Sequence, residues 1–257
     1  MGWCLMNEIA EWWSKVPCES QHGTAERGSL AWSDEVTDQR YFVQHHILRF
    51  ADFPSWRGKK VLEIGCGIGT DTLEFCRSGA DVYAGDVSEK SVEIAYHRAL
   101  LHKAEFQRLP WIHVVNAEEW LPFGPFDLVW SFGVLHHTPH PEKVLNRVHE
   151  VLKDDGELRI MLYARWSWKK LMGHQPEAQA GCPLVKWYSK NEAVDLLESC
   201  GFKVVSIEKT HIFPWRVDEY RQHRFVKAFP WNICPRWLFK WLETKLGHHL
   251  LIVAVKA

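Results

Sequence analysis

Short apolar runs and amphipathic stretches alternate along most of this chain. Residues 61–64, 81–85, 111–115, 126–132, 157–163, 202–207 and 250–255 are compact runs of apolar, largely β-branched and aromatic residues, of strand length. Between them the period changes to that of a helix. Ser88 is placed to cap a helix running to about His102. Pro141 opens one whose apolar positions Val144, Leu145, Val148, Val151 and Leu152 fall on one face. Ser189 and Glu192 have capping-box spacing, and Gly201 is placed to end the helix they start. Seven strands alternating with helices predict an α/β fold with a mostly parallel sheet covered on both faces.

The ends of the pattern differ. Residues 1–55 read as a helical N-terminal lid, with apolar faces at Ile9, Trp12 and Trp13 and at Tyr41, Phe42, His45, Ile47 and Leu48. A loop over 17–28 separates them. Residues 56–257 then form the α/β domain, interrupted at about 164–187 and 212–247 by aromatic and basic insertions that predict C-terminal caps.

Composition narrows the function. Lys and Arg number 31 against 32 Asp and Glu, so no basic excess draws the chain to nucleic acid, and none is expected as a partner. Residues 1–8 lack the basic start and long apolar stretch of a signal peptide, so none is expected; the longest apolar run, 250–255, suits a strand, and seven scattered cysteines fit free thiols in a reducing, cytoplasmic setting. The spacing of His136, His137 and His140 is no known ligand pattern, and no metal is expected.

The candidate chemistry starts where the first strand meets glycines, in Val61-Leu62-Glu63-Ile64-Gly65-Cys66-Gly67-Ile68-Gly69-Thr70. A strand, a glycine turn and a helix start bring unpaired backbone N–H groups close to a ligand. The G-x-G-x-G spacing differs from the G-x-G-x-x-G of dinucleotide folds, and Glu63 suits a ligand carrying positive charge. Asp86, closing the second strand, stands where a carboxylate accepts hydrogen bonds from ribose hydroxyls.

These residues carry a family resemblance. Residues 61–70 resemble motif I of class I S-adenosylmethionine-dependent methyltransferases, and Gly85-Asp86-Val87-Ser88 resembles the second motif. Asn116-Ala117-Glu118-Glu119-Trp120-Leu121-Pro122-Phe123 and the 126–137 segment resemble the third and fourth, in the small-molecule, ubiquinone-type subgroup. The resemblance spans about 59–207 and implies the Rossmann-like seven-stranded sheet of that class, with S-adenosylmethionine as cofactor and S-adenosylhomocysteine as product. It implies cofactor contacts at Glu63, Gly65, Cys66, Gly67, Gly69, Asp86, Val87, Asn116, Ala117, Ser131 and Gly133. Asn116 departs from the family's usual Asp, although an amide oxygen still accepts a hydrogen bond.

The expected reaction is in-line transfer of a methyl group to O, N or S of a small-molecule acceptor. An inactive cofactor-binding partner subunit on the same fold is the alternative. His136 and His137, just past the fourth strand, are candidate bases for an acceptor that arrives protonated. Tyr41, Tyr163, Tyr188, His211 and Arg216 are candidate acceptor contacts at loop ends, and Arg40-Tyr41 is placed to close over the site. The tryptophan-rich caps read first as core packing, ahead of an acceptor pocket, a membrane surface or a second subunit. The assembly expected is a monomer or homodimer.

Overall fold

The computed structural model describes residues 2–15, 17–171 and 182–257. Part of the first expected insertion, 172–181, lies outside the described residues. The strands are β1 (Lys60–Ile64), β2 (Asp81–Asp86), β3 (Trp111–Val114), β4 (Phe126–Phe132), β5 (Leu152–Tyr163), β6 (Phe202–Thr210) and β7 (His249–Lys256). They form one seven-stranded sheet in the order β3-β2-β1-β4-β5-β7-β6, with only β7 antiparallel to its neighbours. Strand order reverses between β1 and β4, which opens a crevice at their carboxyl ends. This is the Rossmann-like fold of class I methyltransferases.

Helices cover both faces. They are α1 (Gly2–Lys15), α2 (Leu30–Val43), α3 (His46–Ala51), α4 (Thr70–Arg77), α5 (Glu89–Leu101), α6 (Pro141–Val151), α7 (Trp168–Leu171), α8 (Lys190–Ser199), α9 (Val217–Tyr220) and α10 (Arg236–Leu246). The Ser88 hydroxyl accepts from Ser91 N–H to start α5, and Ser189 and Glu192 close a reciprocal capping box on α8. Val144, Leu145 and Val148 of α6 pack with Leu197 of α8 on Leu62, Val129 and Ile160. On the opposite face Phe50, Phe53 and Phe75 pack on Val61, Leu128 and Trp130. Central strands are thus covered on both sides, which is why β1 and β4 carry apolar residues at consecutive positions (Val61-Leu62, Leu128-Val129-Trp130) rather than in strict alternation.

Two strand boundaries and the burial of two helix residues differ from the sequence pattern. β5 begins at Leu152 rather than Glu157, because Leu152 leaves the helix and pairs with Phe126 ahead of a register shift. β6 runs on to Thr210 because β7 pairs with its whole length. Phe42 and Leu48 are exposed rather than facing a core, although Phe42 stacks on Trp215 of the C-terminal cap at 5.9 Å.

Candidate functional site

β1 delivers the chain into a turn that only glycine makes cheaply. Gly65 has φ 75°, and a Cβ there would lie 2.2 Å from a Val134 methyl. The Gly65 and Cys66 N–H groups donate to the Gly85 carbonyl at 2.7 and 3.1 Å, tying the turn to β2. Asp86 then accepts from Gly67 N–H at 2.9 Å on one oxygen and from Ser88 N–H at 2.8 Å on the other. Each oxygen keeps a lone pair for a ligand. Gly69 serves packing, since its α-carbon lies against Ala95 of α5 where a Cβ would approach to 3.0 Å.

Around this turn lies a cavity of about 1040 Å³, its open mouth included. Glu63, Gly65, Cys66, Gly67, Asp86, Val87, Asn116, Ala117 and Gly133 all lie on its wall. Gly69 and Ser131 do not, and Ser131 is buried within β4 behind the wall. Asn116 spends its amide locally: the oxygen accepts from Glu118 N–H at 3.1 Å and the nitrogen donates to Glu119 at 2.8 Å. α1 covers the opposite side with Met6, Ile9 and Trp13.

The cavity is acidic. Glu19, Glu63, Asp71 and Asp86 line it against a single guanidinium, Arg40. Arg40 donates to both oxygens of Asp71, at 3.2 and 2.8 Å, and pairs with Glu19. Asp71 also accepts from Tyr41 hydroxyl at 2.9 Å and from Trp130 indole N–H at 3.1 Å. Burial, reinforced by Asp71, pushes the Glu63 carboxyl well up toward its neutral form, while its bond from Thr72 opposes this. Burial also pushes Asp86 up, against the pull of Ser88 and Gly67 N–H. A site with this balance favours a cationic ligand.

Removing Arg40 should leave Asp71 buried without its cation. Arg40→Met is expected to cost about 3 kcal/mol, the low end for a broken buried pair because Tyr41 and Trp130 still donate. Thermal denaturation should show a drop of roughly 6–12 °C. Adding Asp71→Asn should recover most of it, and an undiminished loss in the double variant would contradict the pairing.

Of the two candidate bases, the structure brings one to the cavity. His137 lines it, with Nδ1 donating to the Leu184 carbonyl at 2.7 Å, so the lone pair sits on Nε2. Nε2 is buried without a partner among the described residues. Burial pushes the His137 imidazole down to about 4. His136 is instead sealed behind the wall, its ring 3.7 Å from that of Tyr163. The two imidazoles follow Gly133 (φ 84°) in a 3-10 turn (Leu135–His137), and the second, not the first, lines the cavity.

The expected acceptor contacts stand elsewhere. Tyr41 is spent on Asp71, and Tyr163 stacks between His136 and His248. Tyr188 extends the sheet edge, bonding through its N–H to the Tyr163 carbonyl. His211 is buried against His249, and Arg216 is exposed ahead of α9. None of the five is on the cavity wall. Asp71 and Glu19 are on it without having been singled out in the sequence. Asp71 offered a signal, a carboxylate in the first turn of the helix after the glycines; Glu19, in the 17–28 loop, offered none.

The match to known proteins follows this geometry. The family model described as a methyltransferase domain fits residues 36–207. The chain belongs to the methyltransferase-domain family. A mitochondrial ubiquinone biosynthesis O-methyltransferase from Schizosaccharomyces pombe is 34% identical over 116 residues, 45% of this chain and 42% of that protein. The chain therefore spans less than half the length of that relative. A demethylmenaquinone methyltransferase from Tropheryma whipplei is 26% identical over 198 residues, covering 65% of this chain and 81% of that one. In fold, the magnesium protoporphyrin IX methyltransferase of Synechocystis, solved with bound S-adenosylmethionine, superposes with a TM-score of 0.61 at 16% identity, covering 98% of this chain and 97% of that one.

Proposed function

We propose that this methyltransferase transfers the methyl group of S-adenosylmethionine to an O, N or S atom of a small molecule. The observation that carries the proposal is Asp86. It closes β2 with one free lone pair on each oxygen, beside a glycine turn where a Cβ at Gly65 would collide with Val134 and Gly67 borders open space. Those residues fit the cofactor: Asp86 would hold the ribose hydroxyls, and the Gly65–Gly67 turn would admit the methionine chain. The excess of carboxylates would favour its positive charge. When bound, the cofactor supplies an electrophilic methyl group.

The protein's own work is alignment and exclusion of water. Orienting two reactants can contribute about 7–11 kcal/mol to a displacement. α1, with Met6, Ile9 and Trp13, covers the cavity as a lid, held by the Ser14–Ser88 hydroxyl contact at 3.0 Å. His137 Nε2, an acceptor of hydrogen bonds at neutral pH, would receive an O–H, N–H or S–H of the acceptor. Around it Trp13, Leu135 and Val144 offer an apolar wall for the acceptor's body.

Calorimetric titration with S-adenosylmethionine, and with NADH as control, tests the cofactor. Micromolar binding of the first alone is expected; binding of NADH alone would sink the proposal. His137→Gln should then lower turnover while leaving cofactor affinity within about twofold, because the imidazole faces the acceptor.

A further inference from the structure

From Tyr220 to Leu242 the chain carries five Lys or Arg and no Asp or Glu. This run forms the outer surface of the C-terminal cap, and α10 splits its residues cleanly between two faces. Leu238, Phe239 and Leu242 turn inward, with Phe239 ring-on-edge against Trp231 at 5.5 Å. Glu243, the helix's only carboxylate, also turns inward, reaching the Ile212 N–H. Outward stand Arg236, Trp237, Lys240, Trp241 and Lys245. Trp237 is 73% exposed, and the preceding loop adds Ile233 at 69% and Phe229 at 77%. None of the three outward cations forms an ion pair with a described residue.

An exposed tryptophan pair is costly in water unless something covers it. Indole rings flanked by Lys and Arg are suited to the boundary between lipid headgroups and acyl chains, where the ring is buried and the cations meet phosphate. A second copy of the chain is disfavoured as the occupant. A two-fold contact would press this cationic face, its one carboxylate turned inward, against an identical cationic face. Among the described residues no helix is long and apolar enough to cross a membrane, so attachment through this face would be peripheral.

We propose that the outward face of α10, with the 225–235 loop beside it, docks onto an anionic lipid bilayer. The surface is separate from the cavity and goes beyond the methyl-transfer reading, so either can fail alone. Cations near such a surface each contribute about fivefold to partitioning, and salt weakens them.

The test is flotation of the purified protein with phosphatidylcholine vesicles, with and without a third of phosphatidylglycerol, alongside tryptophan emission. The expected result is capture by the anionic vesicles with a blue shift, weakening several-fold at high salt. Lys240→Glu should lower partitioning by roughly fivefold or more, and Trp237→Ser with Trp241→Ser by at least tenfold. Both rings are exposed, so the variants should keep the wild-type melting temperature. Equal capture by neutral vesicles, no capture, or capture unchanged in the double variant would overturn the proposal. So would a concentration-dependent dimer that Trp237→Ser abolishes, which would make the face a contact between copies.

Discussion

Lowering the pH from 7.5 to about 5.5 should unfold this protein. Six imidazoles, His46, His136, His137, His211, His248 and His249, are buried with little room for a counter-ion. They gather where β4, β5 and β7 meet α3. His46 and His249 share a hydrogen bond of 3.0 Å, His249 stacks on His211 at 4.5 Å, and Tyr163 stacks on both His136 and His248. Burial is the leading cause that pushes each of them down, His46 to about 3 and His137 to about 4, and the other four well below their ordinary value. Around the cluster Arg40, His45, Arg49 and Lys169 add repulsion.

The sign follows from linkage. The unfolded chain takes up protons on these side chains below about pH 6.5, whereas the folded chain does not until its own lower pKa values are reached. Stability is therefore full above 6.5 and falls as pH drops. Each group costs about 1.4 kcal/mol per pH unit in that window, so six together are worth about 8 kcal/mol over one unit, offset in part by Glu63 and Asp86, whose raised carboxyls favour the fold as pH drops. A domain has only about 5–15 kcal/mol in all. Tryptophan emission and near-ultraviolet circular dichroism during acid titration should show a cooperative transition centred between about pH 5 and 6. A midpoint below pH 4 would mean that these imidazoles are not held neutral.

The histidine cluster also marks where sequence reasoning stopped. The alternation of strands and helices, the capping residues and the glycine turn are local patterns, each written within a dozen neighbouring residues. They locate β1, β2, β4 and the helices between them because propensity, periodicity and burial agree there. His46, His211 and His249 are far apart in the chain and meet only because β7 returns antiparallel between β5 and β6. The same limit applied to the cavity. Gly65, Gly67 and Asp86 share one strand-turn-helix-strand unit, but Glu19 reaches Arg40 from a loop with no motif. Tyr163 and His211 stand at strand ends and Tyr188 just before the α8 capping box, yet such a position can point into packing as well as into a pocket. His136 and His137 are adjacent and chemically equal, and only the turn at Gly133 and Val134 decides which imidazole faces the opening.

Asp86→Ala should raise the dissociation constant for S-adenosylmethionine by at least 100-fold, on the proposed reading of the site. Two hydrogen bonds to a carboxylate are at stake, each worth about 1.5–3 kcal/mol when one partner is charged. Even the lower figure for the pair, about 3 kcal/mol, is more than two decades of affinity. The substitution also releases Gly67 N–H and Ser88 N–H, so part of the loss comes from the turn itself. Asp86→Asn separates the two effects. Its single carbonyl oxygen can hold only one of those backbone donors, and its NH2 must face the other, so the ribose would meet one acceptor instead of two. A loss of about tenfold is expected there, with a drop of a few degrees in melting temperature from the one backbone N–H left facing the amide NH2, while the Ser88 cap on α5 is untouched. Calorimetry on folded protein reads both variants. If Asp86→Ala stayed folded and bound the cofactor within threefold of wild type, Asp86 would be a loop-holding residue and the ribose would lie elsewhere in the cavity. If both variants lost binding equally, the backbone turn rather than the carboxylate's second lone pairs would carry recognition.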